Sequence, residues 1–140
     1  MTPAVTFTVS GHPQGKGRAR AFVRAGHVGH YTPEKTRSYE SMIRGAAIDA
    51  MAGRPPFDVP VAVRVDAIFD VPASWSKKKR DAALAWTIKP GKKPDIDNVV
   101  KAVVDACNGV GFKDDALIVQ GSYSKAYGIA PGVIVEVMPA

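Results

Sequence analysis

Two carboxylates and a lysine stand together in Lys93-Pro94-Asp95-Ile96-Asp97-Asn98-Val99-Val100-Lys101, and a second acidic pair follows in Lys113-Asp114-Asp115. Magnesium takes oxygen ligands in a tight octahedron, keeps several waters, and is held by a few carboxylates together with substrate phosphate oxygens. Asp95 and Asp97 can supply two such ligands. A chain just entering a helix is not yet helical, so residues two apart need not diverge there. The loop beyond the helix returns through Gly109, Gly111 and Phe112 to Asp114 and Asp115, where a third carboxylate is expected to close the site. A metal so held would position phosphate, activate water and neutralise developing charge.

Ordinary local chemistry offers another account of each residue taken singly. Aspartates near a helix N-terminus suit capping and the macrodipole, Asp97 and Lys101 have the spacing of an i,i+4 ion pair, and Asp114-Asp115 suits a turn. Capping uses one oxygen, however. It does not account for Asp95, Asp97, Asn98, Lys101, Asp114 and Asp115 gathered around one helix.

The surrounding charge sharpens the point. The 140 residues carry 19 Lys and Arg against 13 Asp and Glu, a net charge of +6. Residues 1–94 hold 16 basic and 7 acidic side chains (+9), whereas residues 95–140 hold 3 and 6 (−3). A basic majority attracts phosphate polyanions, and a separate acidic pocket suits divalent cations. The length suits one domain, 1–140, with a core that needs no disulfide or structural metal. Cys107 is the only cysteine, which removes a disulfide framework and a cysteine zinc finger and suits a reducing cytoplasm. Neither a signal peptide nor an apolar run long enough to span a membrane is expected.

The elements that must position these residues follow from periodicity. Val5, Phe7 and Val9 alternate with Thr6 and Thr8 as a strand, and Ala21–Val23 reads as a second, with a turn or hairpin near Gly26 and Gly29. A helix is expected from Thr32 as N-cap and Pro33 as first helical residue to about Met51, with Tyr39, Met42, Ile43, Ala46 and Ala47 as its apolar stripe. Val59–Phe69 is the best strand candidate. A short helix from Ser74 to about Trp86 follows, on which Trp75 and Trp86 share a face. Ile96, Val99, Val100, Val103, Val104 and Cys107 give a helix over Asp95–Asn108, with Asn108-Gly109 as its stop. Strands over Ala116–Tyr127 and Val133–Val137 complete a mixed α/β chain.

The cationic loop Gly11-His12-Pro13-Gln14-Gly15-Lys16-Gly17-Arg18-Ala19-Arg20 is one residue short of a P-loop and has Gly17 where a magnesium-binding hydroxyl is needed, so no nucleotide cofactor is expected. Lys16, Arg18, Arg20 and Lys93 suit DNA phosphates instead. Lys77–Arg80 is either a DNA contact or a solvated face. His12, His27 and His30 lie in separate loop segments and read as surface histidines rather than zinc ligands.

Lys-Pro-Asp-x-Asp-Asn-x-x-Lys-x-x-x-Asp-Ala (Lys93–Ala106), followed by Asp-Asp-x-x-Ile (Asp114–Ile118), resembles the RusA family of Holliday-junction resolvases. Gly15–Arg20 and Tyr31–Thr36 with Tyr39-Glu40 are similar to the phage and prophage branch of that family. The resemblance implies a mixed α+β fold in a single domain, acting as a homodimer that nicks opposing strands of a four-way junction. It implies a divalent-metal site of Asp95, Asp97 and Asp115, with Asp114 as the alternative third ligand, holding Mg²⁺ or its substitute Mn²⁺. Lys101 is then the catalytic lysine at the scissile phosphate. A branched-DNA-binding protein without catalysis, or a nuclease of other structural specificity, are the rival expectations.

Overall fold

Val61, Val63, Val65, Ala67 and Phe69 recur at every second position and are all buried, while Arg64 between them is exposed. A period of two places such residues on one face of a strand, and they form the centre of the sheet as β4 (Val61–Asp70). The computed structural model describes residues 3–17 and 19–140. Among these, β1 is Val5–Ser10, β2 Arg20–Arg24, β3 His27–Tyr31, α1 Glu34–Met51, α2 Lys77–Leu84, α3 Ile96–Cys107, β5 Ile118–Gly128 and β6 Gly132–Pro139. The fold is mixed α+β in a single domain.

The main sheet has the order β1-β6-β4-β5. β6 runs antiparallel to both β1 and β4, and β5 runs parallel to β4, with Val65 beside Tyr123 and Phe69 beside Tyr127. A parallel pair needs a crossover, and α2 and α3 form it. β5 is consequently an edge. One extra residue on β5 opposite Val61/Ala62 forms a bulge at its start.

α1 and α3 pack against each other and against the sheet. Tyr39, Ile43, Ala47 and Met51, each four residues apart, are the buried stripe of α1. Met42 belongs to the expected stripe but is 54 % exposed, because it falls off the four-residue row that meets the sheet. On α3, Val99, Val103 and Cys107 do the same work with Ala102 and Ala106, all at most 3 % exposed. Phe112 then plugs the far end of the core, its backbone bridged to Phe57.

Three local expectations are corrected. The N-cap of α1 is Pro33, without a side-chain cap bond, rather than Thr32. α2 is shorter than expected and capped by Ser76, whose hydroxyl accepts from the Lys79 amide at 3.3 Å. Trp75 and Trp86 therefore flank the helix instead of sharing its face: Trp75 meets the Tyr127 ring edge-on at 5.4 Å, and Trp86, at φ 66°, is 65 % exposed. β2 and β3 form the expected hairpin, reversed at Ala25-Gly26, which both hold positive φ. No helix among the described residues is long and apolar enough to cross a membrane.

Candidate active site

The Lys93–Asn98 segment turns the chain from the connector into α3 beside the Gly-rich loop. Asp95 is the N-cap residue and Asp97 lies in the first turn. Both are exposed. Asp95 makes no side-chain capping bond, and neither carboxylate enters an ion pair among the described residues. The local account of these aspartates, one as a cap and one as partner to Lys101, is therefore not the arrangement adopted. Lys101 Nζ turns the other way along the helix, to Asp105 Oδ1 at 3.1 Å.

The Gly-rich loop is laid directly on this helix entry. The Lys16 amide donates to the Asn98 carbonyl at 3.0 Å, and the Gly17 amide to Thr36 Oγ1 at 3.0 Å. A Cβ on Gly17 would stand 2.6 Å from that hydroxyl, so only glycine permits the approach. The loop, the first turn of α1 and the Lys93-Pro94-Asp95 turn enclose an open cleft of about 680 Å³. Arg20, Lys35 and Lys93 line it with Asp95, and these three cations form no ion pair among the described residues. Positive side chains with one free carboxylate at the rim suit a phosphate and a cation side by side.

Lys16, expected as a DNA contact, lines the cleft with its ammonium tied to α1 and α3. Its Nζ meets Glu40 Oε1 at 2.5 Å and Asp105 Oδ2 at 3.1 Å. Partial burial pulls the Lys16 ammonium down, but the hydrogen bonds and charges of Glu40 and Asp105 outweigh it and raise the group above its ordinary value. Lys16, Glu40, Asp105 and Lys101 thus form one chain of charge tying the loop, α1 and α3 together. Arg18 lies outside the described residues.

Asp114 and Asp115 are exposed, at the start of a 3-10 turn (Asp115–Leu117) that leads into β5. This turn is at the opposite end of α3 from Asp95. Lys92, just before the motif, places its ammonium near the Phe69 and Tyr127 rings, and its carbonyl accepts from Lys125, all late in β4 and β5. The C-terminal end of α3 instead meets the Phe57–Phe112 bridge that precedes β4, and Ile118 pairs with Val61 at the beginning of both strands. The 12 residues of α3 span ~18 Å between these two ends. Accordingly, no three His, Cys, Asp or Glu side chains converge as a metal cluster within the chain, among the described residues.

The family model for the endodeoxyribonuclease RusA matches residues 10–138. The chain belongs to the RusA family. A relative from Bacillus subtilis (strain 168), the uncharacterized protein YqaN, is 37 % identical over 138 residues, covering 96 % of this chain and 94 % of its own. The RusA match places the protein among Holliday-junction endodeoxyribonucleases, and it embraces both the Gly-rich loop and the Asp95–Asp97 motif that the cleft brings together.

Two further contributors come from α1, and neither was assigned a role from the sequence. Lys35 lines the cleft, and Glu40 anchors Lys16. Both lie in the Tyr31–Glu40 stretch whose likeness to the RusA family was the available signal. Among the described residues, Asp95 offers the cleft a hard carboxylate oxygen, with Asp97 two residues on, and oxygen donors of this kind suit magnesium, which completes its shell with water and phosphate.

Proposed function

We propose that this chain resolves four-way DNA junctions by divalent-metal-dependent hydrolysis, nicking paired strands as a homodimer. The observation that carries the reading is the pair of exposed carboxylates, Asp95 and Asp97, without an ion pair among the described residues, beside a cleft lined by Arg20, Lys35 and Lys93. Asp95 and Asp97 would hold Mg²⁺ or Mn²⁺; Asp115, the expected third ligand, and its alternate Asp114 lie at the other end of α3 in the same chain. When bound, the metal would lower the pKa of water and offset charge on the phosphate.

The chain's own residues supply the rest. Arg20, Lys35 and Lys93 hold the DNA backbone through its phosphates, which positions the duplex arm without reading sequence. Lys101 lies on the α3 surface one turn from Asp97, with its side chain 61 % exposed. Its ammonium exchanges Asp105 for the scissile phosphate as charge builds there. Asp105 keeps Lys16 as a second partner in that exchange, so its carboxylate is not left uncompensated. Selection of a junction over linear duplex then comes from shape and bendability of the branch.

The test is cleavage of a synthetic mobile four-way junction in Mg²⁺, beside flap and linear duplex, by wild type and by Asp97→Asn. Paired symmetric nicks lost in the variant, with junction binding retained, support the reading. Binding without cleavage by wild type in both Mg²⁺ and Mn²⁺ replaces it with a branched-DNA-binding protein.

A further inference from the structure

The end of α2 holds one residue at a cost. Beyond the C-cap Ala85, the Trp86 amide donates to the Ala83 carbonyl at 3.0 Å and the Thr87 amide to the Ala82 carbonyl at 2.9 Å. Two such bonds close a helix when the residue after the cap turns left-handed, a position usually held by glycine, which has no Cβ to crowd the backbone. Here it is tryptophan, at φ 66°. Burial does not offset the strain, because Trp86 is 65 % exposed. A bulky side chain held in a strained and solvated position calls for a functional account.

Trp86 forms one wall of a second cavity, of about 460 Å³, a size typical of small-ligand sites. The cavity lies on the sheet face that α1 and α3 leave uncovered, where Arg64, Asp66 and Ile68 alternate with the buried residues of β4. Its floor is aliphatic. Ile68 stands beside Ala126 of β5, and Ile134 of β6 stands beside Asp66, all of them half-buried. Asp66 accepts from Ser124 Oγ at 2.6 Å and from Arg64 Nε at 2.8 Å, so the carboxylate lining the cavity is satisfied within the protein. Lys89 lines it too and enters no ion pair among the described residues. An aromatic wall, an aliphatic floor and an available ammonium suit a nucleotide whose base is unpaired: the base stacks on the ring and its phosphate meets the cation.

The chain runs from this cavity directly to the cleft at Asp95. Lys89 lines the cavity and Lys93 the cleft, and between them the Lys92 carbonyl accepts from Lys125, itself a lining residue of the cavity. Four residues of chain span at most ~14 Å, and a stacked strand of DNA rises ~3.4 Å per nucleotide. A strand with a phosphate in the cleft therefore reaches Trp86 within a few nucleotides.

We propose that the Trp86 cavity is a second DNA subsite, which holds an unpaired nucleotide of a single strand by stacking its base on the indole while Lys89 meets its phosphate. The subsite goes beyond junction cleavage and does not draw on the metal ligands. Every base has a π-face, so the stacking reads no sequence. It favours a branch point with unpaired bases, where no pairing has to be broken first.

The test uses a short oligothymidylate in EDTA, with Trp75→Phe as the background so that Trp86 alone reports. Its emission should be quenched as the oligonucleotide binds, and thymidine monophosphate at the same nucleotide concentration should leave it unchanged. By anisotropy, Trp86→Ala should weaken oligonucleotide binding about tenfold, the loss of one stacked base. Trp86→Gly separates this from misfolding: glycine suits the left-handed position, so its thermal midpoint should equal or exceed that of wild type while binding falls as in Trp86→Ala. A four-way junction with unpaired thymidines at its branch should bind wild type more tightly than a fully paired one, and Trp86→Gly should lose that preference. An oligonucleotide that fails to bind wild type, or that binds wild type and both variants alike without moving the Trp86 emission, overturns the subsite. Equal quenching by the monophosphate overturns the single strand as the source of the nucleotide. All of these readouts are taken without metal, so they stand or fall separately from junction cleavage.

Discussion

The two halves of the charge on α3 are treated oppositely. In the body of the helix Asp105 takes two ammonium groups, Lys101 and Lys16, and Glu40 takes Lys16 as well. At its N-terminal end Asp95 and Asp97 take none among the described residues, and Asp95 does not use its oxygens as a cap. Paired charges hold the Gly-rich loop in place. Those next to the cationic cleft have no ion pair among the described residues, which suits the metal proposed for them.

The contrast breaks most visibly at Asp97. Asp97→Asn should lower junction cleavage on the order of 10²-fold or more, as loss of a group that stabilises transition-state charge does. Its unfolding free energy should stay within about 0.5 kcal/mol of wild type, since the charge removed is exposed and enters no ion pair among the described residues. Single-turnover cleavage and denaturant titration of the same sample read both.

Asp105→Asn should behave in the reverse sense for stability. It strips Lys16 and Lys101 of a charged hydrogen-bond partner, a loss of about 1–2 kcal/mol in denaturant unfolding. A variant as stable as wild type would show that the network contributes nothing to the loop's attachment. The pH dependence points the same way. Lys16 is raised above 10.5 in the folded chain, so its contribution is complete below the unfolded value of 10.5 and is lost as pH rises through the folded one. The gap in stability between wild type and Lys16→Met should hold from pH 7 to 10 and narrow above that.

Smaller effects belong to the cleft wall. Arg20→Ala and Lys35→Ala should each weaken junction binding several-fold and flatten the slope of log affinity against log salt by roughly 0.9, the release of one phosphate counterion. Fluorescence anisotropy over a salt series measures it. At the buried end of α3, burial pushes the Cys107 thiol up to about 12 against a weak opposing pull from Arg44. Cys107 should therefore ignore thiol reagents in the native protein at pH 8 and react only on unfolding, as a timed absorbance assay would show.

Much of the fold was legible because its elements obey simple periods. The alternation of β1 and β4, and the apolar spacing on α3, follow from side-chain geometry alone. What was not legible is what depends on partners distant in sequence. Met42 has the right spacing for a helix face but misses the row that the sheet selects. Lys16 reads as a free cation until α1 brings Glu40 beside it, 24 residues away. Asp115 follows Asp97 in the same motif, yet a straight helix carries the chain ~18 Å off, and the turn at Asp114-Asp115 stays at that end. The motif at Asp95 and Asp97 was readable because both residues sit within one turn of chain.

The most direct measurement is calorimetric titration of Mn²⁺ into wild type, Asp97→Asn and Asp105→Asn. Binding by wild type and Asp105→Asn, with binding lost in Asp97→Asn, is the predicted result and locates the metal at the unpaired end of α3. Binding that survives Asp97→Asn and disappears with Asp105→Asn would contradict the account, placing the ion among the charges read here as structural.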